Sequence, residues 1–339
     1  MIPADAGPGA LPRLRWGVAG YGDVVRRRAV PALRGLGQQV DCVWGRDGAR
    51  ARATADGFGA RRGTDDFAEL LAGVEAVYVA TPVAAHVPLL LAAVAAGRHV
   101  LVEKPLGGAL GYDRAGVLAA AGAPVVTAAA YYRRSDPALR AVRGTLRHGP
   151  YRVSSWFRGA FAPGPADPMH WRTVAPVAGG GVLADAGSHR IDLLCWLFGP
   201  PSAVRGTVQD PFPGGAERRA SVELGWADGT TARLRCEWSG RPARDRLALV
   251  GAEHSVRLPA LDGGLVEERR PRLRRRRSFA RHANPLTPVL GDFLAAVAGH
   301  GRPGCPLADA MLVDDLIGRV LGAAGAESGG GNGARPDGG

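Results

Sequence analysis

Residues 179–199 read GGGVLADAGSHRIDLLCWLFG. If a helix starts just after the glycines, Asp185, His189 and Asp192 stand at i, i+4 and i+7 and project from one stripe. An acid, a histidine and an acid on one face form a proton-handling set. The imidazole takes or gives a proton near neutral pH, and a carboxylate beside it orients the ring and raises its pKa. The same spacing also suits a solvated polar face. A second candidate is Lys104, the only lysine among 43 basic residues. In an arginine-rich chain a surface lysine drifts to arginine at little physical cost. One that persists points to a task closed to arginine, which does not release its proton and whose planar fork needs more room than a compact ammonium.

A third stretch, GVAGYGDVV, follows an apolar run and opens a helical one. Gly20 and Gly22 supply a G-x-G turn: the first allows the tight bend, and the second lets a pyrophosphate approach the backbone N–H groups at a helix start. The third fingerprint position, normally Gly or Ala, is Val25, and a branched side chain there holds helix and strand further apart. At the end of the second strand a carboxylate selects NAD and an arginine accommodates the phosphate of NADP. Here VWGRD places Gly45 at the acid's position with Arg46 after it, which leans toward NADP. Asp47 either caps the next helix or reaches a ribose.

These residues need a frame. From Leu14 to about Ala130, short β-branched runs alternate with helical stretches, which implies βαβ units and a doubly wound parallel sheet. Beyond a helix near 136–148 come longer strand candidates, YRVSSWFRGAF, SAVRGTVQD, RASVELGWADGTTARLRCEWSG and RDRLALVGAEHSVRLP. The second of a hairpin's strands follows Ala227-Asp228-Gly229, where Asp-Gly supplies the positive-φ turn. The expected fold is therefore α/β followed by α+β. Residues 13–135 form a Rossmann domain, and residues 136–325, closed by helices near 287–299 and 306–322, form a mostly antiparallel open sheet with its helices. The Gly- and Pro-rich ends, 1–12 and 326–339, read as disordered tails.

The totals exclude some classes. At 339 residues, 46% hydrophobic and 22% charged, the chain is an ordinary soluble protein. Its four scattered cysteines form no C-x-x-C pair, so neither a disulfide framework nor a metal site is expected. No apolar run reaches a membrane span and the start lacks a signal-peptide plan, so the expected location is cytoplasmic, with no membrane partner. The net charge of +12 owes seven arginines to residues 269–277, RRPRLRRRR. That run has no interleaved aromatic for base stacking, so a solvated loop or edge strand is expected rather than nucleic-acid binding.

Together the stretches resemble the Gfo/Idh/MocA family of nicotinamide-dependent oxidoreductases over about residues 13–325. VYVATPVAAHVPLLLAAVAAGRHVLVEKP is similar to the family's run from ATP-x-x-x-H to E-K-P, AAYYRRSDPALR to its R-R segment, and HWRTVAPVAGGGVLADAGSHRIDLL to its W-R, G-G-G and D-x-x-x-H-x-x-D segment. The resemblance implies NAD(P) as cofactor and Lys104, Asp185 and His189 as catalytic residues. It also implies that Gly22, Asp23 and Val24 touch the pyrophosphate, that Thr81, Pro82 and His86 flank the ribose and nicotinamide with Glu103 near the same ring, and that Tyr132 lies by the nicotinamide. Arg172 and Asp192 become candidates for substrate contacts. The implied reaction is hydride transfer at a secondary alcohol or ketone of a sugar, cyclitol or aminosugar, including antibiotic-pathway sugars, in a homodimer or homotetramer. A catalytically silent NAD(P)-binding sensor is the alternative. It would have no need for Lys104, Asp185 and His189 together.

Overall fold

The computed structural model describes residues 11–147 and 149–329. Its chain divides into two compact units. One runs to Leu106 and adds Tyr112–Asp136 and His282–Met311; the other comprises Gly107–Gly111, Pro137–Arg281 and the chain from Leu312 on.

The first unit holds six parallel strands: β1 (Arg15–Ala19), β2 (Gln39–Trp44), β3 (Arg62–Thr64), β4 (Ala76–Val79), β5 (His99–Val102) and β6 (Thr127–Ala129), in the order β3-β2-β1-β4-β5-β6. All four residues of β4 are buried, as expected of a parallel strand covered on both faces. The order reverses direction between β1 and β4, which makes their carboxyl ends the switch point where ligands of such sheets bind. The short β3 and the Phe67–Ala72 helix after it carry too little periodicity to be read from the sequence.

The second unit holds eight strands: β7 (Arg152–Gly159), β8 (Ala203–Pro211), β9 (Glu217–Gly225), β10 (Thr231–Trp238), β11 (Arg244–Val250), β12 (Ser255–Leu258), β13 (Leu265–Arg270) and β14 (Leu273–Ser278). Their order is β14-β13-β12-β11-β7-β10-β9-β8, antiparallel except for the β7–β10 pair. Burial alternates along β10, with Ala232, Leu234, Cys236 and Trp238 inward and Thr231, Arg233 and Arg235 outward. One face is therefore covered and the other open. Gly229 turns the β9–β10 hairpin at φ +85°. The arginine run becomes the β13–β14 hairpin, with β14 at the sheet edge, where charge discourages pairing with another chain.

Two expectations need correction. The Leu286–Val297 helix, assigned from sequence to the second domain, packs in the first unit. Its Leu286, Leu290, Phe293 and Leu294 join Trp16 and Leu33 in one core, with the Trp16 and Phe293 rings 5.6 Å apart. Buried Arg134 fastens the adjoining segment through Asp309 at 2.5 Å. An apolar stripe at helical spacing announces that a helix will be buried, without naming its partner. The last helix runs Leu307–Gly329, into the expected tail; residues 1–10 and 330–339 lie outside the described residues.

Candidate functional site

The candidate residues fall on both units. In the first, Gly20 follows β1 with φ +112°, and a Cβ there would meet the Ala80 carbonyl oxygen at 2.4 Å. No other residue tolerates both constraints. Gly22 is exposed, with open space where its Cβ would stand. Asp23 is exposed and pairs with Arg26 (3.3 Å) and Arg27 (3.5 Å) on its own helix, while Val24 is half-buried against the core. The helix then begins as a π turn, Val25–Ala29, with Val25 fully buried. Its wider turn occurs at the position where valine replaces the small fingerprint residue.

The other candidates in this unit sit at the carboxyl ends of neighbouring strands. Arg46 is exposed after β2. Gly45 is buried, and a Cβ on it would meet Tyr21 Cε1 at 2.0 Å, so no acid fits there without displacing the tyrosine. Arg50 lies over the Tyr21 ring at 4.5 Å. Asp47 caps the Gly48–Gly57 helix by accepting the Arg50 N–H at 3.0 Å. After β4, Thr81 and Pro82 are half-buried, and Thr81 Oγ1 is a buried atom with no hydrogen-bond partner among the described residues. After β5, Glu103 accepts from Tyr78 Oη at 2.5 Å and from the Lys104 N–H at 3.2 Å. Burial, then Glu103, pushes the Tyr78 pKa well above its usual value. Lys104 itself is half-buried and precedes a cis bond to Pro105.

His86 is 1% exposed, with Nδ1 2.8 Å from the Pro105 carbonyl oxygen and Nε2 2.8 Å from that of Thr81. Burial pushes its pKa down, and the neutral ring donates to one of these two carbonyls. Tyr132 is half-buried on the Rossmann core, with guanidiniums of Arg28 (5.9 Å) and Arg133 (5.7 Å) near its ring. The positive-φ glycine, the open approach at Gly22 and the unpartnered Thr81 hydroxyl at the switch point fit a dinucleotide.

In the second unit the segment expected as one α-helix starts as a π turn, Leu183–Gly187, and becomes α-helical over Ser188–Phe198. Asp185 therefore lies in the π turn, and His189 and Asp192 lie in the α-helical part. Their surroundings differ accordingly. The Asp185 side chain is 29% exposed and pairs with Arg172 at 2.9 Å, His189 is 8% exposed, and Asp192 is fully buried. Arg172 and Asp185 are thus brought together, whereas Asp192 presents no surface for the substrate contact expected of it.

Sequence reasoning missed the groups that hold this helix. Glu217, at the start of β9, is buried and accepts the N–H groups of Gly181 (2.7 Å) and Leu183 (2.8 Å). Burial pushes its pKa up against those backbone hydrogen bonds. A Cβ at Gly181 would meet the Glu217 carbonyl oxygen at 2.1 Å, so the glycine run permits β9 to press against the helix start. That run was the available signal; nothing marked Glu217 as its partner. Buried Arg190 reaches Asp245 on β11 and donates to the Ala186 carbonyl at 2.7 Å. Asp314 accepts from the N–H groups of Gly107 (2.6 Å) and Gly108 (3.1 Å).

Comparisons with known proteins agree with this fold. The model of the oxidoreductase family with an NAD-binding Rossmann fold matches residues 14–121, and that of the GFO/IDH/MocA C-terminal domain matches residues 144–257. The chain is 31% identical to dTDP-3,4-didehydro-2,6-dideoxy-alpha-D-glucose 3-reductase of Streptomyces antibioticus, over 92% of this chain and 98% of that one. It is 29% identical to 1,5-anhydro-D-fructose reductase of Ensifer adhaerens, over 85% and 90%. A solved structure of UDP-N-acetylglucosamine 3-dehydrogenase from Acidithiobacillus ferrooxidans shares the fold, with a TM-score of 0.79 at 23% identity and coverage of 93% and 99%. Among the described residues no helix is long and apolar enough to cross a membrane. The chain belongs to the GFO/IDH/MocA family of oxidoreductases, and its first domain is that family's NAD-binding Rossmann domain.

Proposed function

We propose that the protein uses NADP(H) to interconvert a ketone and a secondary alcohol on a sugar, cyclitol or aminosugar ring, with reduction of an antibiotic-pathway keto-sugar as its physiological direction. The observation that carries this reading is the position of the only lysine. Lys104 follows β5 on the same carboxyl edge of the parallel sheet that carries Gly20, Gly22 and Thr81. The two curated relatives described above are both reductases of keto-sugars by name, which supports the direction and the substrate class. Exposed Arg46 beside a Gly45 that excludes an acid supports NADP.

When bound, the nicotinamide donates or accepts the hydride. Gly20, Gly22, Asp23 and Val24 would hold the pyrophosphate, Arg46 the ribose phosphate, and Thr81, Pro82 and Glu103 the nicotinamide side. In the oxidative direction the imidazole of His189 would take the substrate's hydroxyl proton. The Lys104 ammonium stabilises the developing alkoxide, and Asp185 orients the base. An ammonium can pass a proton on where a guanidinium cannot. In reduction the same groups return the proton to oxygen.

The test is a scan of NADP and NAD turnover against ketoses, cyclitols, aminosugars and nucleotide-linked keto-sugars. Turnover with at least one sugar class, faster with NADP, is expected. Tight dinucleotide binding without turnover across the whole panel would replace this reading with a silent sensor.

A further inference from the structure

The helix that carries His189 is tied to its sheet by a buried ion pair that the proposed reaction does not use. Pairing register sets Cys236 on β10, Phe157 on β7 and Asp245 on β11 in one row across the covered face of the second sheet. Arg190 lies over that row. Its guanidinium stands 4.6 Å from the centre of the Phe157 ring, one terminal nitrogen pairs with Asp245, and the other donates to the Ala186 carbonyl at 2.7 Å. The residue is 1% exposed. Burial pushes the Cys236 thiol up to about 11, so the thiol stays neutral and Asp245 supplies a countercharge.

Stability alone gives no reason for an arginine here. Desolvating two charges costs about as much as their attraction returns, and apolar replacements of a buried pair are often neutral or stabilising. Geometry gives one. Ala186 belongs to the π turn Leu183–Gly187 and Arg190 to the α-helical part that follows. The contact from Arg190 to Ala186 is the Asp185–His189 pair displaced by one residue along the same backbone, so a clamp on the first spacing constrains the second. Single π turns occur mostly at functional sites, and here the turn meets the helix between the two groups assigned to proton transfer. A guanidinium presents its nitrogens in a fixed fork. One prong holds the turn and the other holds β11, so the junction is tied to the sheet. An ammonium is a point charge on a flexible stem and has no second prong in a set geometry.

We infer that Arg190 is a positioning residue for the proposed base: by clamping the Ala186 carbonyl against Asp245 it sets His189 relative to Asp185. The inference rests on His189 being the base and Asp185 its orienting group.

Steady-state kinetics of the full chain test this with Arg190→Lys and Asp245→Asn, on the sugar that the turnover scan selects. In both variants kcat should fall about 10–100-fold, with KM and dinucleotide affinity within about threefold of the parent, and the limb of the pH–rate profile that belongs to His189 should move. Arg190→Met with Asp245→Leu replaces the pair by apolar groups. That double variant should keep the parent's stability and still lose kcat, and it serves if a single variant does not fold. A structural role alone would lower the melting temperature and leave kcat and the pH–rate limb of the folded protein unchanged, which overturns the inference. A parent that turns over no sugar would remove the functional reading, and the His189 imidazole then decides without substrate. Its NMR titration, assigned by the signal missing in His189→Ala, should have a displaced midpoint in Arg190→Lys; identical midpoints overturn the clamp. A parent that turns over sugar while His189→Ala keeps an unchanged pH profile would remove His189 as the base, and the positioning role with it.

Discussion

The Glu217 carboxylate accepts the Gly181 N–H at 2.7 Å, and this bond closes the start of the helix that carries Asp185 and His189. A helix start leaves backbone N–H groups without intrahelical partners, and here a buried acid from β9 takes two of them. Removing it strands both. Glu217→Ala should cost about 3 kcal/mol of stability, the scale of losing hydrogen bonds to a charged group, while Glu217→Gln keeps an acceptor and should recover at least half. Urea denaturation of the three proteins measures both effects; an alanine variant as stable as the parent would remove Glu217 as the capping group.

Arg172 and Asp185 pair at 2.9 Å with each side chain close to one-third exposed. Such a pair adds little to stability, about 1 kcal/mol or less. Arg172→Ala should therefore leave the melting temperature within a few degrees. Turnover should fall by about tenfold or more as Asp185 loses its orienting partner. Equal losses in stability and turnover would mark the pair as structural.

Lys104→Arg keeps the charge and removes the transferable proton. Dinucleotide affinity should stay within about threefold of the parent, and turnover should drop by about 10²–10⁴. His189→Ala should lose a comparable factor and one limb of the pH–rate profile. A profile of unchanged shape would exclude the imidazole as the base.

Gly45 and Tyr21 decide how the dinucleotide preference can be changed. A Cβ at 45 would strike the Tyr21 ring, so Gly45→Asp alone should weaken NAD and NADP binding together. Combined with Tyr21→Ala it should shift preference toward NAD. Arg46→Ala should cost about tenfold in NADP affinity, with NAD little changed. Fluorescence titration of the reduced dinucleotides separates these outcomes.

Phe293 and Trp16 place the Leu286–Val297 helix in the core of the parallel-sheet unit. Phe293→Ala should destabilise that unit by about 3–5 kcal/mol. Hydrogen exchange should report the loss in β1 and β2. Faster exchange confined to the antiparallel sheet would contradict the assignment.

Much of this architecture was legible because it is local. Alternating apolar runs and helical stretches specify a parallel sheet, the Asp228-Gly229 turn specifies a hairpin, and Gly20, Lys104 and the Asp185–His189 segment announce themselves by residue type and spacing. Tertiary structure decided whatever depends on which surfaces meet. It sent Leu286–Val297 to the first unit, because an apolar stripe states a need for burial and not its partner. It buried His86 between the Pro105 and Thr81 carbonyls and brought Glu217 to Gly181, thirty-six residues away. The π turns at Val25–Ala29 and Leu183–Gly187 were likewise read from the sequence as ordinary helix. The sequence by itself determined which chemical groups the protein owns and roughly where along the chain they stand. Their burial, partners and facing followed only from long-range packing, which short-range periodicity does not encode.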